Sequence, residues 1–477
     1  MQVNSKILQD IRADTIPLRP VYEPYNDTAK TLVDAFHKAL GLYDGRPTSI
    51  QKQKVIVCAF LVACQRAFSK GNDSLYVGIS GNANWWSQFP EGGYEVSKQV
   101  KKALVYSEHI THLAETGRKH FWHDEDNKLR SLGLMAAYSI NESIFNLEGF
   151  VEAEFIETGR PTVLVGIKET TGAKYARQQN QRRKPKMLKI DMLNAFGKDY
   201  HLASMEVERL NRFWREHPLA LPQIANGVRG YTCCASRVFH DGSLESGGRY
   251  YGAWTNLNSA YRLQCTIDGE PVAQIDLNAS QPTLFSSMIG IKMQVGNMWE
   301  DLYSHVLEKL DLSDLTNNDD AALRRNKAKQ VAVELIGTGN VYKRQEAHDC
   351  KYTFKEGEFS RYRNALLTVV PALHYLTKEY YNGAGYVSYH ESEMLKETLH
   401  RLRDLDIIAY PIHDCLLVKE KDLDEALHIY RDTIRKYIKS NGKGHGKAAI
   451  NITVPVSIER RNKDKECLAG YYSDIRD

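Results

Sequence analysis

The stretch AYPIHDCLLVKE, from Ala409 to Glu420, sets two apolar runs on either side of a single acid, Asp414. Ile412 and the run from Leu416 to Val418 read as a short buried strand with a tight turn inside it. A carboxylate is expensive to bury there unless it is paired or binds a metal. A second stretch has the same pattern. In EPVAQIDLNASQPTLFSSMIG (Glu270–Gly290), the run Val272-Ala273-Gln274-Ile275 ends at Asp276. After it, NASQP breaks the strand and TLFSSMIG has helical character. If the two strands are neighbours, the two carboxylates converge.

Carboxylates a few Å apart repel unless a cation lies between them. Hard divalent cations such as Mg²⁺ take one or two carboxylates together with substrate phosphates. That combination suits two-metal phosphoryl chemistry. Between the two acids lies LRRNKAKQVAVELIGTGN (Leu323–Asn340). Arg325 and Lys329 are one helical step apart and project from one face. An Arg fork beside a Lys point charge suits a triphosphate. Val331, Ala332, Leu335 and Ile336 are available to pack the other side.

The surrounding pattern sets the fold class. From about Gln181 onward, strand-like runs (EPVAQIDL, IIAYPI, CLLVK, AAINITVPVSI) alternate with helical ones (DDAALRRNKAKQVAVELI, HESEMLKETLHRLRDL, DLDEALHIYRDTIRKYI). This is the pattern of an α+β domain with a mostly antiparallel sheet. The last helix is well signalled: Asp422 or Asp424 caps it, and Arg435, Lys436 and Lys439 sit near its end.

Residues 1–170 read as mainly helical. In Ser49–Phe68, Val55, Cys58, Ala59, Leu61, Val62 and Phe68 lie near one stripe. EVSKQVKKALVYSEHITHL offers Ser97 as an N-cap, with Val100, Ala103 and Leu104 at helical spacing. Followed by strand-like RKHFWHD, it is compatible with a winged-helix or thumb-like nucleic-acid-binding region. HFWHDEDNK (His120–Lys128) is rich in possible ligands but reads as solvated surface. From Lys174 to Lys189 there are seven basic residues and no acid. That segment, taken as a basic linker over residues 171–190, is both a boundary and a candidate phosphate contact through Arg182, Arg183 and Lys184. Residues 191–477 then form the second domain.

Bulk numbers exclude little. The 477 residues are enough for two or three domains, and 42% hydrophobic with 26% charged is globular. No run approaches the length of a membrane span, and the N-terminus has no apolar signal core. The eight cysteines are scattered, with no CxxC pair, so neither a zinc ribbon nor a disulfide framework is expected. A reducing cytoplasm is the simplest setting. A net charge of +4 says nothing about partners.

In order along the chain, five pieces resemble the family A DNA polymerases and their relatives, the single-subunit phage-type RNA polymerases. The likeness runs from about Ser246 to Ile458. SGGRYY (Ser246–Tyr251) resembles the element whose Arg contacts the primer end or hybrid, here Arg249. NLNSAYRLQCTIDGEPVAQIDLNASQP resembles the Arg-bearing lead-in and motif A, with Arg262 and then Asp276 as metal ligand. RNKAK resembles motif B of the fingers, with Arg325 and Lys329 on the incoming triphosphate. YHESEMLKETLHRL is similar to the palm helix before motif C. IHDCLLV resembles motif C, with His413 beside the primer end and Asp414 as second metal ligand.

The chain departs from that pattern at three points. The position that screens the sugar 2′-OH, usually Glu in the DNA polymerases, is Gln281. The residue after the motif C Asp is Cys415. Motif B lacks its closing Tyr, with Gly337-Thr338 in that place. GGRYY leans toward the RNA polymerases, the compact spacing from motif A to motif B toward the DNA polymerases.

The resemblance implies a right-hand polymerase core, an antiparallel palm sheet with helical fingers, after a mainly helical N-terminal domain. It implies two Mg²⁺ ions (Mn²⁺ as substitute), a primer–template and dNTPs or rNTPs, no membrane, and a cytoplasmic setting in a bacterial or phage-infected cell. The expected activity is template-directed nucleotide addition to a 3′-OH by a DNA polymerase of a phage or mobile element. Alternatives are an RNA polymerase or primase-polymerase using rNTPs, a two-metal nuclease, and a non-catalytic nucleic-acid-binding protein of polymerase descent.

Overall fold

The computed structural model describes residues 10–12, 14–42, 45–69, 76–86, 89, 93–114, 116–123, 129–168, 187–188, 190–222, 230–295, 301–311, 320–347, 350–376, 384–442, 456–461 and 466–467. The chain divides into two compact units, Met1–Arg160 with Trp214–Cys234, and Pro161–Phe213 with Ala235–Asp477.

In chain order the first unit holds β1 (Thr15–Pro17), β2 (Tyr22–Pro24), α1 (Asp27–Ala39), α2 (Pro47–Ser69), β3 (Tyr76–Ile79), α3 (Ala83–Trp86) and α4 (Tyr94–Tyr106). It continues with β4 (Ile110–His112), β5 (Lys119–His123), β6 (Leu129–Gly133), β7 (Ala136–Ile140) and β8 (Phe155–Glu157). The expectation of a mainly helical region is therefore corrected to mixed α and β. Strands of three to five residues are too short for alternation to stand out in the sequence.

β3, β7 and β4 form an antiparallel sheet, and β1 adds parallel to the free edge of β3. The hairpin β5–β6 is inserted between β4 and β7. The expected boundary at residues 171–190 is also displaced. The first unit closes at Arg160 and regains Trp214–Cys234 because strand Gly230–Thr232 pairs with β8, while Leu219–Ala220 pairs with that strand. Most of the basic stretch, including Arg182, Arg183 and Lys184, lies outside the described residues.

Helix α1 starts where the Asn26 side chain accepts a hydrogen bond from the Ala29 N–H at 2.8 Å. Helix α2 is not the one-sided stripe its sequence suggests: every residue from Ile56 to Cys64 is buried, making it the centre of this unit's core. Its buried Gln65 donates to the carbonyls of Phe150 at 2.7 Å and Ala153 at 2.9 Å, so no donor is stranded there. Ser97 does not cap α4. It is buried inside the helix and its hydroxyl donates to the Tyr94 carbonyl at 2.7 Å, while Gly93 holds the cap position.

The second unit begins with β9 (Val163–Val165), followed by α5 (Gly197–Glu216, its last three residues belonging to the first unit), β10 (Ser236–Phe239) and β11 (Gly247–Tyr251). These strands form a small sheet in the order β11-β10-β9. Then come β12 (Glu270–Leu277), α6 (Ser280–Ile289), α7 (Leu302–Glu308), α8 (Ala321–Thr338), α9 (Glu358–Val369) and α10 (Ala384–Asp404). The chain continues with β13 (Ala409–Ile412), β14 (Cys415–Lys419), α11 (Leu423–Asn441), β15 (Val456–Arg460) and β16 (Glu466–Cys467).

The α+β expectation for this region is met. β13, β14, β12, β15 and β16 lie side by side in that order, every neighbouring pair antiparallel. β12 is launched by a two-residue Asp268-Gly269 turn, both at positive φ (51° and 79°), the conformation that Asp-Gly favours in hairpins. Helices α10 and α11 pack on each other and against this sheet. Asp422 does hold the cap position of α11, but without a side-chain hydrogen bond. Helix α8 is capped by Asp320, which accepts from the Leu323 N–H at 2.7 Å, and ends at left-handed Gly339. It packs with α7 and α9 around Val331, Leu335, Phe359 and Tyr362.

Candidate active site

Strand β12 is hydrogen-bonded on both sides, to β14 and to β15. Asp276, at its C-terminal end, lies opposite Cys415, the first residue of β14. The β13–β14 hairpin pairs Ile412 with Cys415, so its loop is only His413 and Asp414. Asp414 therefore sits one residue from the position facing Asp276. The two acids singled out in the sequence are brought together by register alone.

The turn is held under strain. His413 has φ 58°, a left-handed conformation that costs a non-glycine residue about 1–2 kcal/mol. Neighbours hold it there. The Tyr430 hydroxyl on α11 donates to the Asp414 carbonyl at 2.7 Å, and the Trp254 indole N–H donates to the Pro411 carbonyl at 2.7 Å. A second left-handed residue, Ala279 with φ 44°, stands between Asp276 and the start of α6. Strain of this kind collects where a site must be positioned.

Electrostatics set Asp414 apart. Burial raises its pKa most, then the charges of Glu391 and Asp276, lifting it to about 8. These are the influences a bound cation would offset. Asp276 and Asp414 supply hard oxygen donors of the type that Mg²⁺ takes. Among the described residues, no group of three or more His, Cys, Asp or Glu side chains forms a ready metal cage. A two-carboxylate site completed by substrate phosphates fits that donor set.

Glu391 was missed in the sequence, where its run stands out only as the helix before motif C. In the structure it is buried. It accepts from Arg249 Nε at 2.9 Å and from a second nitrogen of the same guanidinium, and also from the Ser280 hydroxyl at the start of α6. Burial works against the charge on Arg249, but Glu391 and then Asp414 outweigh it and raise its pKa. The signal that would have found Glu391 is its spacing from Met394 and Leu395, both buried, which places it on the packed side of the helix.

The GG of SGGRYY also has a structural reason. Gly248 has φ 82°, and a Cβ on it would lie 2.8 Å from both Arg237 Nη2 and Ser392 Oγ. Arg237 is buried, donates to the Gly248 carbonyl at 2.8 Å and pairs with Glu393 at 2.7 Å, locking β10 and β11 to α10.

The remaining sequence candidates fall into two groups. Near the carboxylates, the His413 ring packs edge-on to Tyr251 with centroids 5.4 Å apart. Its Nδ1 is buried with no hydrogen-bond partner among the described residues. Burial, then Arg249, lowers its pKa and keeps the ring neutral. Arg262 donates to Gln274 at 3.1 Å, and Gln274 alternates onto the same face of β12 as Asp276. Gln281 donates to the Ser388 hydroxyl on α10 at 3.2 Å. The thiol of Cys415 is raised well above its usual value by burial, then by Asp276 and Asp414.

On α8, Arg325 forms a two-pronged pair with Asp301, Nε at 2.8 Å and Nη2 at 2.7 Å, and stacks over Tyr303 at 5.5 Å. Burial, Asp301, Arg325 and Asp414 all act on the Tyr303 hydroxyl, whose pKa rises to about 12. Asp414 is therefore within electrostatic reach of the Tyr303 hydroxyl. Lys329 is exposed one turn further along. The lysine between them, Lys327, faces inward and bonds Glu358 at 2.9 Å.

No known protein family matches the chain's sequence, and no curated protein does. Among solved structures the chain is similar to the POL domain of Pol1 from M. smegmatis in complex with DNA primer-template and dNTP. The match covers 58% of this chain and 56% of that one, at 12% identity and a TM-score of 0.33. The chain thus spans little more than half of that structure's length.

Proposed function

We propose that this chain is a template-directed nucleotidyltransferase that extends a nucleic-acid 3′-OH with nucleoside triphosphates, with DNA as the product. The observation that carries the reading is the β12–β14 register, which sets Asp276 beside Asp414. A nuclease would share the paired acids but has no use for Arg325 and Lys329 on one helix. The five motif-like pieces in order, and their compact spacing, lean the product toward DNA.

In this reading Asp276 and Asp414 would hold Mg²⁺, which would supply Lewis acidity toward the attacking hydroxyl and charge neutralisation on the triphosphate. Arg325 exchanges Asp301 for phosphate oxygens, since carboxylate and phosphate fit the same guanidinium fork. Lys329 adds a mobile charge one turn away and supplies a proton to pyrophosphate. Arg249, fixed by Glu391, and neutral His413 line the primer side. Arg262 and the basic residues Arg182, Arg183 and Lys184 contact nucleic acid phosphates. The Gln281 amide, tethered to Ser388, stands near the sugar, where it tolerates a ribose better than a carboxylate would.

The test is a primer–template extension assay with dNTPs or rNTPs, with and without primer, comparing wild type and Asp414→Asn. The variant removes like-charge repulsion, so it keeps or gains thermal stability while losing incorporation. Equal incorporation by both proteins overturns the reading, and preference for rNTPs overturns the choice of sugar.

A further inference from the structure

The first unit contains an arrangement that the carboxylate site does not use. Helix α2 is followed by strand β3, short helix α3, helix α4, strand β4, hairpin β5–β6 and strand β7. Strands β3, β7 and β4 close into one antiparallel sheet, with the hairpin projecting from the β4–β7 connection. Helix α2 packs against both β3 and α4. A helix packed on a second one, with its other face left to solvent, is the kind of element that enters the DNA major groove. The antiparallel sheet and the hairpin follow it in the chain, in the order of a winged helix.

Helix α4 has two unlike faces. Ser97, Val100 and Leu104 are buried. Lys98, Gln99, Lys102 and Val105 are exposed on the other side, Lys101 is half-buried at its edge, and Tyr106 is 88% exposed. The helix has a single acid, Glu95, and Lys98 neutralises it at 2.9 Å. The outer face is therefore cationic, with an exposed aromatic ring at one end.

We propose that the first unit binds duplex DNA, with α4 as the helix that enters the major groove. An α-helix of about 10–12 Å diameter fits the major groove of B-form DNA, about 12 Å wide. The deep, narrow major groove of A-form RNA shuts it out. This binding is independent of the polymerase reading.

The experiment is fluorescence anisotropy on the full chain with a labelled blunt-ended DNA duplex, without nucleotides, over a salt series. Wild type binds, with log K falling as log[salt] rises. The variant Lys98→Gln/Lys101→Gln/Lys102→Gln binds more weakly, and its salt slope shrinks by about 3, about one per lost phosphate contact. It keeps the wild-type circular dichroism melt and still extends an annealed primer at saturating protein. A matched variant on α1, Lys30→Gln/Lys38→Gln, keeps the wild-type slope. Failure of wild type to bind, an unchanged slope in the α4 variant, an equal loss in the α1 variant, or equal affinity for duplex RNA overturns the proposal. Lysine-dependent duplex binding without any extension overturns the polymerase reading and leaves this one standing.

Discussion

Removing Glu358 tests how α8 is held. Its carboxylate is 0% exposed and accepts from Lys327 Nζ at 2.9 and 3.1 Å and from the Lys355 N–H at 2.7 Å. Lys327 is itself only 5% exposed. Glu358→Leu keeps the volume but takes the carboxylate away from a nearly dry ammonium. Breaking such a pair from one side costs about 3–5 kcal/mol, about two to four powers of ten in an opening equilibrium. Lys327→Met removes the ammonium while the Lys355 N–H still supports the carboxylate, so its cost falls toward the lower end of that range. The double variant Lys327→Met/Glu358→Leu leaves no charge behind and returns to within about 1 kcal/mol of wild type. Amide hydrogen exchange in α8 and α9, read for all four proteins, gives the opening free energies. Arg325 lies two residues before Lys327, so the single variants also raise the nucleotide KM and the double variant restores it. Single losses below about 1 kcal/mol, or a double variant as unstable as the sum of the singles, refute the reasoning.

Acid sensitivity should centre on α10. Burial alone would raise the Glu393 carboxyl, but Arg237 and Lys396 override it and hold its pKa below the ordinary 4.5. A depressed carboxylate gives its stabilisation in full above the unfolded value and loses it as pH falls through the folded one. Exchange protection in α10 and β11 therefore drops below about pH 4.5, and Glu393→Gln flattens that dependence. At Asp301, substitution by Asn frees the Arg325 fork; the pair is partly exposed, worth about 0.2–1 kcal/mol. The nucleotide KM falls by up to about fivefold with kcat little changed in steady-state extension kinetics, and a rise in KM would show that Asp301 orients Arg325 rather than competing for it.

Much of the candidate site could be read from the sequence because it depends on strand pairing. An apolar run ending in one acid fixes both the strand and the position of its carboxylate, so Asp276 and Asp414 were legible without any tertiary information. The αL turn at His413 and the cap of α8 at Asp320 are equally local features. The partners of the charges were not legible. Lys327 and Lys329 look alike in RNKAK, and only the packing of α9 decides which of them faces inward. Glu391 and Asp301 meet Arg249 and Arg325 across long sequence separations, and no spacing rule spans those. The first unit misled for a different reason. Its strands are too short to show a period, and its boundary depends on a returning hairpin at Leu219–Thr232 that only tertiary pairing reveals.

The double-sided pairing of β12 bears on which changes in length the chain tolerates. A one-residue insertion or deletion between Val272 and Asp276 would swap the faces of the strand, turning Asp276 away and driving its neighbours into the wrong layer. Because β14 and β15 grip the strand from both edges, no slide of a single neighbour can absorb the error. A change in length is thus tolerated outside these paired strands rather than within them. The strand that carries Asp276 and the hairpin that carries Asp414 keep a fixed residue count.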